Sequence, residues 1–249
     1  MESLIQIQNI GKRYQVRVSD EPDSHRSLKK TIHAAFTQQW KNKPIREFWA
    51  LKDLSFSLNR GETVAIMGQN GSGKSTLLKL ISRIIEPTEG RIVLNGRLGA
   101  LLEVGTGMHP DLTGRENIYF CGALLGMKRS EVKKTIDAIV AFAEISAFLD
   151  APFKQYSSGM ALRLAASVLF HLRTDLLILD EVLSVGDKAF QEICFKKIET
   201  LSKEGKIIVC VTHHEEWIKT YCQRGLLLKD GMLIDDGPAK KVLTHYHEI

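Results

Sequence analysis

The stretch Gly68-Gln69-Asn70-Gly71-Ser72-Gly73-Lys74-Ser75-Thr76 constrains this chain more than any other, because it has the form G-x-x-x-x-G-K-[ST]. It follows the apolar run Thr63-Val64-Ala65-Ile66-Met67 and precedes Leu77-Leu78-Lys79-Leu80-Ile81. The first run fits a strand buried on both faces and the second fits a helix, so the loop joins a strand to a helix N-terminus. That arrangement belongs to an α/β layout. Successive backbone N–H groups and the helix dipole then face an anion, and the glycines let the backbone approach it closely. Lys74 is placed to reach the β- and γ-phosphates of a nucleotide as a point charge, and the Ser75 hydroxyl to ligate Mg²⁺. A ligand-free glycine-rich turn is the alternative, and the match of every fixed position in this context weighs against it.

A second constellation lies far downstream, where the apolar run Leu176-Leu177-Ile178-Leu179 ends in Asp180 and Glu181. A buried strand ending in two carboxylates suits metal chemistry. Asp180 is a candidate to hold Mg²⁺ through water, and Glu181 to polarise an attacking water beside the γ-phosphate. Taken alone, the pair reads equally well as two solvated acids at a strand end.

Three further segments, in order and spacing, bring a family into view: Tyr156-Ser157-Ser158-Gly159-Met160, Ser184-Val185-Gly186-Asp187 and Val211-Thr212-His213. Together they resemble an ABC-type ATPase. The resemblance implies ATP and Mg²⁺ as cofactors. It also implies an α/β P-loop core with a mostly parallel sheet, an N-terminal antiparallel β part and a helical subdomain at roughly 105–170. The whole of 1–249 then forms one nucleotide-binding domain. Ser157, Ser158 and Gly159 correspond to the signature loop, usually L-S-G-G-Q, which acts in trans on the ATP of a second copy; Ser157 and Gly159 match, whereas the Leu, the second Gly and the Gln do not. Asp187 falls in the D-loop, His213 at the switch histidine after the buried run Ile207-Ile208-Val209-Cys210-Val211, and Tyr14 where the family stacks an aromatic on adenine. Gly68 to Thr76 bind the phosphates, and Lys229-Asp230-Gly231-Met232 reads as the late hairpin. A homodimer closing on ATP and an integral membrane permease are the implied partners, with no nucleic acid.

One family feature is missing. Where a Mg²⁺-touching glutamine is usual, the chain runs Leu101-Leu102-Glu103-Val104-Gly105-Thr106-Gly107. Glu103 is the nearest polar substitute, and an ordinary exposed glutamate is the equal alternative. A further departure is a basic insert at 24–46, with Arg26, Lys29, Lys30, Lys41, Lys43 and Arg46 and no acid, which interrupts the join between a first strand at Leu4 to Asn9 and the segment Ala50-Leu51-Lys52-Asp53-Leu54. Its Leu28, Ile32, Phe36 and Trp40 recur every fourth residue and give a helix one apolar stripe. Such a helix suits a membrane surface, a partner, or packing on its own domain.

The insert, Leu-Leu-Glu-Val-Gly-Thr-Gly at 101–107, Tyr-Ser-Ser-Gly-Met at 156–160 and Asp-Glu-Val-Leu-Ser-Val-Gly-Asp at 180–187 together look like the ATPase subunit of bacterial polysaccharide exporters. That resemblance implies lipid-linked O-antigen, capsule or teichoic acid as the cargo of the complex, and a place on the cytoplasmic face of the inner membrane. Alternatives are another cargo, such as a drug or lipid, and a soluble ABC ATPase. With 249 residues, 44% of them apolar, the chain accommodates one sizeable core. No apolar stretch approaches the ~20 residues that span a bilayer. Cys121, Cys194, Cys210 and Cys222 lack metal-ligand spacing, and a reduced setting suits them.

Overall fold

The computed structural model describes residues 3–17, 45–101, 107–180, 187–212 and 214–249. Strand β1 (Ser3–Arg17) pairs antiparallel with both β2 (Ile45–Asn59) and β4 (Glu89–Leu94). The second sheet is built on β3 (Thr63–Met67), whose residues are all buried. Its parallel neighbours are β7 (Ile207–Val211) on one side and β8 (Arg224–Lys229) on the other. Beyond β7 lie β6 (Leu176–Asp180) and β5 (Leu98–Leu101), also parallel, and β9 (Met232–Pro238) closes the far edge antiparallel to β8. The order is therefore β5-β6-β7-β3-β8-β9. Among described residues this is the mostly parallel sheet, with a separate antiparallel part, expected from the sequence.

Alternation along these strands divides the interior in two. Val64 and Ile66 face β1, β2 and helix α1 (Lys74–Ile81), where Ile5, Ile7, Leu54, Leu58, Leu77 and Leu80 pack against them. Ala65 and Met67 point the other way, into a core with residues of α4 (Ser158–His171), α5 (Lys188–Lys203), α6 (Glu215–Tyr221) and α7 (Ala239–Glu248). Burial on both faces is why the strand sequences read as unbroken apolar runs.

Helices α2 (Gly114–Leu124) and α3 (Arg129–Ala143) form a third cluster through Ile118, Val132, Ile136 and Ile139. Helix α4 joins that cluster through Leu164, Val168 and its C-cap Leu172 while its Leu162, Ala165 and Leu169 enter the sheet core. Thr113 caps α2 in a full capping box with Glu116, as their spacing predicts. Asn117, fully buried, spends its amide on the His109 N–H and the His109, Leu112 and Thr113 carbonyls, shaping the turn before the helix.

Two sequence readings need correction at their edges. The first strand, placed at Leu4 to Asn9, runs on to Arg17, because the ladder with β2 continues through Tyr14↔Phe48 to Arg17↔Ile45. The basic insert placed at 24–46 gives up Ile45 and Arg46 to β2. The rest of it, with Leu28, Ile32, Phe36 and Trp40, lies outside the described residues.

Candidate nucleotide-binding and catalytic site

The Gly68 to Thr76 loop spans β3 and α1 as the sequence requires. Gly68, Gly71 and Gly73 all take positive φ, at 144°, 84° and 105°. A Cβ on Gly68 would stand 2.3 Å from the Leu228 carbonyl oxygen, and one on Gly73 2.6 Å from Leu51 Cδ2, so neighbouring strands press on the loop from behind. Gln69, Asn70 and Gly71 are exposed on its outer rim. Lys74 arches back over the loop, donating to the carbonyls of Gly68 (2.7 Å) and Gln69 (3.0 Å). Ser72 is 6% exposed with no hydrogen-bond partner for its hydroxyl among the described residues, and its carbonyl accepts from Gly231 N–H of the β8–β9 turn. An orphaned hydroxyl inside an anion-binding loop fits a ligand that supplies acceptors. Ser75, in the first turn of α1, is exposed.

The sheet brings the second constellation alongside. Ile66 pairs with Val211, and Val211 with Asp180, so the three occupy one transverse row. Neighbouring strands lie ~4.8 Å apart, which sets the backbone of Asp180 within ~10 Å of the strand that feeds the loop. All three strands are parallel, so their C-terminal ends, at Asp180, Val211 and Met67, lie on one edge. Parallel sheets bind ligands at this carboxyl edge. Thr212 is described there, whereas Glu181, His213 and Glu103 lie outside the described residues. A cavity of about 300 Å³ opens at the same edge, lined by Gly68, Lys74, Thr212, Glu215, Tyr246 and His247 among others.

Tyr14 stands 37% exposed on β1, with the Lys12 ammonium 5.3 Å from its ring centre. Its Cα partner on β2 is Phe48, 56% exposed. Two residues further along β2 the chain meets the loop, at the contact of Ala50 and Leu51 with Gly73. Ser157 is the N-cap of α4, its hydroxyl accepting from Met160 N–H at 3.2 Å, while a Cβ on Gly159 would meet only Ser157 Oγ, at 3.9 Å. The start of α4 thus presents an open, electropositive face. Asp187 caps α5 by accepting from Phe190 N–H at 2.9 Å, and that bond, then the neighbouring Arg163, lowers its carboxyl pKa.

Residues 51–184, more than half of the chain, match the ABC transporter family. The chain belongs to that family. It is 41% identical over 82% of its length to an O-antigen export system ATP-binding protein of Klebsiella pneumoniae, covering 82% of that protein. It is 44% identical over 82% of its length to an ABC transporter protein of Aeromonas salmonicida, covering 67% of it. With a teichoic acids export ATP-binding protein of Listeria innocua it shares 40% identity over 93% of this chain and 68% of that one. A solved ATP-binding subunit of an ABC transporter superposes with a TM-score of 0.77 over 98% of this chain and 94% of that one at 19% identity, which speaks to the fold. As a member of the ABC family the chain is an ATP-binding ATPase.

The structure also exposes site residues that no motif marks. Tyr246 and His247 reach the Lys74 cavity from the last helix, and His247 Nε2 lies 3.2 Å from Glu215 Oε1 at the start of α6. Phe48 joins Tyr14 only through the β1–β2 register. Arg163 joins Asp187 across the start of α5.

Proposed function

We propose that this chain is the ATP-hydrolysing subunit of an exporter that moves lipid-linked polysaccharide across the bacterial inner membrane. It works from the cytoplasmic face as a homodimer beneath integral permease subunits, with no nucleic acid in the process. The observation that supports the enzymatic part is the row Ile66, Val211, Asp180, which sets the phosphate loop and the carboxylate strand side by side. The cargo is supported by relatives named for O-antigen and teichoic acid export. Among described residues no helix is long and apolar enough to cross a membrane.

In this reading Gly68 to Thr76 bind the phosphates, Lys74 neutralises them and Tyr14 stacks on the adenine. Ser75 and Asp180, with Glu103 as a further candidate, are the residues that would hold Mg²⁺. Among described residues no cluster of His, Cys, Asp and Glu forms a cage. When bound, Mg²⁺ would spread the charge of the β- and γ-phosphates. Glu181 orients the water, His213 supports the γ-phosphate end, and Asp187 and the signature residues Ser157, Ser158 and Gly159 serve the partner's nucleotide. The insert at 24–46 contacts the permease or the lipid head groups.

The test pairs two variants in the full chain. Glu181→Gln keeps shape but loses the charge, so ATP hydrolysis falls at least ~10²-fold with ATP binding retained, whereas Lys74→Ala loses binding itself. In cells lacking the native gene, neither variant restores surface polysaccharide, and the parental chain does. Parental turnover in Glu181→Gln, or an intact polysaccharide layer in cells without the gene, refutes the reading.

A further inference from the structure

The outer part of the β1–β2 ladder carries two exposed aromatic residues opposite one another. Tyr14 and Phe48 are Cα partners in the antiparallel register, and directly opposed residues of such a ladder put their side chains on the same face. Both are exposed, at 37% and 56%. The Lys12 ammonium stands over the Tyr14 ring and donates to the Glu86 carbonyl at 2.7 Å, so the tyrosine is backed by a group that is itself tied down. Phe48 stands beside it on the neighbouring strand.

Strand β2 relates this pair to the phosphate loop. It is an edge strand, in the order β2-β1-β4, and just past Phe48 it meets the loop and the turn behind it. The Ala50 carbonyl and the Leu51 side chain press on Gly73, and Lys52 N–H donates to the Gly231 carbonyl of the turn that holds Ser72. A strand rises ~3.4 Å per residue, which puts Phe48 ~7 Å along the strand from Ala50, within the reach of a ribose from the loop. We propose that Phe48 is a second base-binding residue, forming with Tyr14 a two-ring platform for the nucleotide. Such a platform holds a base by its π face, which every base offers, so Phe48 adds affinity without choosing adenine over guanine. The inference deepens the reading that Tyr14 stacks on adenine, and rests on it.

Phe48→Ala, Phe48→Trp and Tyr14→Ala in the full chain provide the test. Calorimetry gives affinities for ATP and GTP, and inhibition of hydrolysis by inorganic tripolyphosphate reports on a ligand with phosphates and no base. Phe48→Ala should weaken ATP and GTP by about tenfold each, the size of a lost base–aromatic stack, and KM for ATP should rise in step with kcat held within about twofold. The tripolyphosphate inhibition constant should stay within about twofold of the parent. Melting temperature should fall by no more than ~2 °C, since an exposed side chain contributes little to the fold. Phe48→Trp, which keeps a π face, should bind ATP at least as tightly as the parent and show ATP-dependent quenching of indole fluorescence beyond the parent's. An ATP affinity within about twofold of the parent in Phe48→Ala overturns the inference. So does an equal rise in the tripolyphosphate constant, which marks a damaged loop, or a melting loss above ~4 °C, which marks a ring packed into the protein. Unequal losses for ATP and GTP overturn the indifference to the base. If Tyr14→Ala binds ATP as the parent does, the adenine reading fails and the inference with it. If Tyr14→Ala loses affinity while Phe48→Ala keeps it, only the second ring is refuted.

Discussion

Gly68 and Gly71 both hold positive φ in the phosphate loop, yet replacing each by alanine should have different consequences. At Gly68 the added Cβ lies 2.3 Å from Leu228 O and 2.5 Å from Ser72 Oγ. The first contact is with strand backbone and lies more than ~1 Å inside the ~3.5 Å of ordinary contact. A strained backbone conformation costs ~1–3 kcal/mol and forced overpacking a further ~1–3, for a centre near ~4 kcal/mol. At Gly71 the Cβ meets nothing within 4 Å among the described residues, so only the left-handed backbone penalty of ~1–2 kcal/mol remains. For a chain of this length ~1 kcal/mol moves the melting temperature by ~2–4 °C, giving losses of ~8–16 °C for Gly68→Ala and ~2–8 °C for Gly71→Ala. Nucleotide binding should rank otherwise. Gly71 lies on the exposed rim of the loop assigned to the phosphates, so Gly71→Ala should weaken ATP binding by at least about tenfold despite its milder thermal effect. Differential scanning fluorimetry and titration with a fluorescent ATP analogue read the two quantities separately. If Gly71→Ala melts as low as Gly68→Ala, or binds ATP as the parent does, the reasoning from loop geometry is refuted.

Two further outcomes follow from the description. Thr113→Ala removes the capping box of α2, where the Thr113 hydroxyl accepts from Glu116 N–H and the Glu116 carboxylate accepts from Thr113 N–H; the loss of ~1 kcal/mol should lower the melting temperature by ~2–4 °C, with Thr113→Ser retaining most of it, and an unchanged Thr113→Ala contradicts the capping role. His171 is partly buried against Phe142, and burial lowers its pKa below 6.5 despite its bond to the Ser167 carbonyl; the unfolded chain therefore binds the extra proton more readily, stability declines as pH falls below ~6.5, and His171→Gln should flatten that part of a melting-temperature profile between pH 7 and 5.5.

Chemistry that lies in one contiguous stretch was legible in the sequence, and chemistry assembled across the fold was not. The Gly68 to Thr76 loop, the buried runs of β3 and β7 and the Thr113–Glu116 box each declare themselves within a few residues, because one loop or one helix turn suffices to make them. The turn at Asp230 and Gly231 belongs with them, since both residues take positive φ, at 51° and 76°, as a two-residue hairpin of that composition does. The continuation of β1 past Asn9 was hidden because Arg13, Tyr14, Gln15 and Val16 are all exposed and bury no face; the strand exists through its ladder with β2. Phe48, Tyr246, His247 and Arg163 were hidden for the same reason. Each is ordinary in its own neighbourhood, and acquires a place at the site only from a partner distant in sequence: Tyr14 for Phe48, Glu215 for His247, Asp187 for Arg163.

Helix α4 ties the α2–α3 layer to the core of the six-stranded sheet. A helix apolar around most of its circumference is buried on more than one side. Here Leu162, Ala165 and Leu169 enter the core beneath the six-stranded sheet, while Leu164, Val168 and Leu172 enter the cluster built with α2 and α3. The buried Ser167 hydroxyl adds a polar rivet, donating to the Ile139 carbonyl of α3 at 2.6 Å. Close-packed interfaces deform little and shift as units. Displacing α3 therefore carries α4 with it, and with α4 go both Ser157 at its N-terminus and Arg163 one turn further in. One packed helix thus carries both Ser157 and Arg163, so the two must move together.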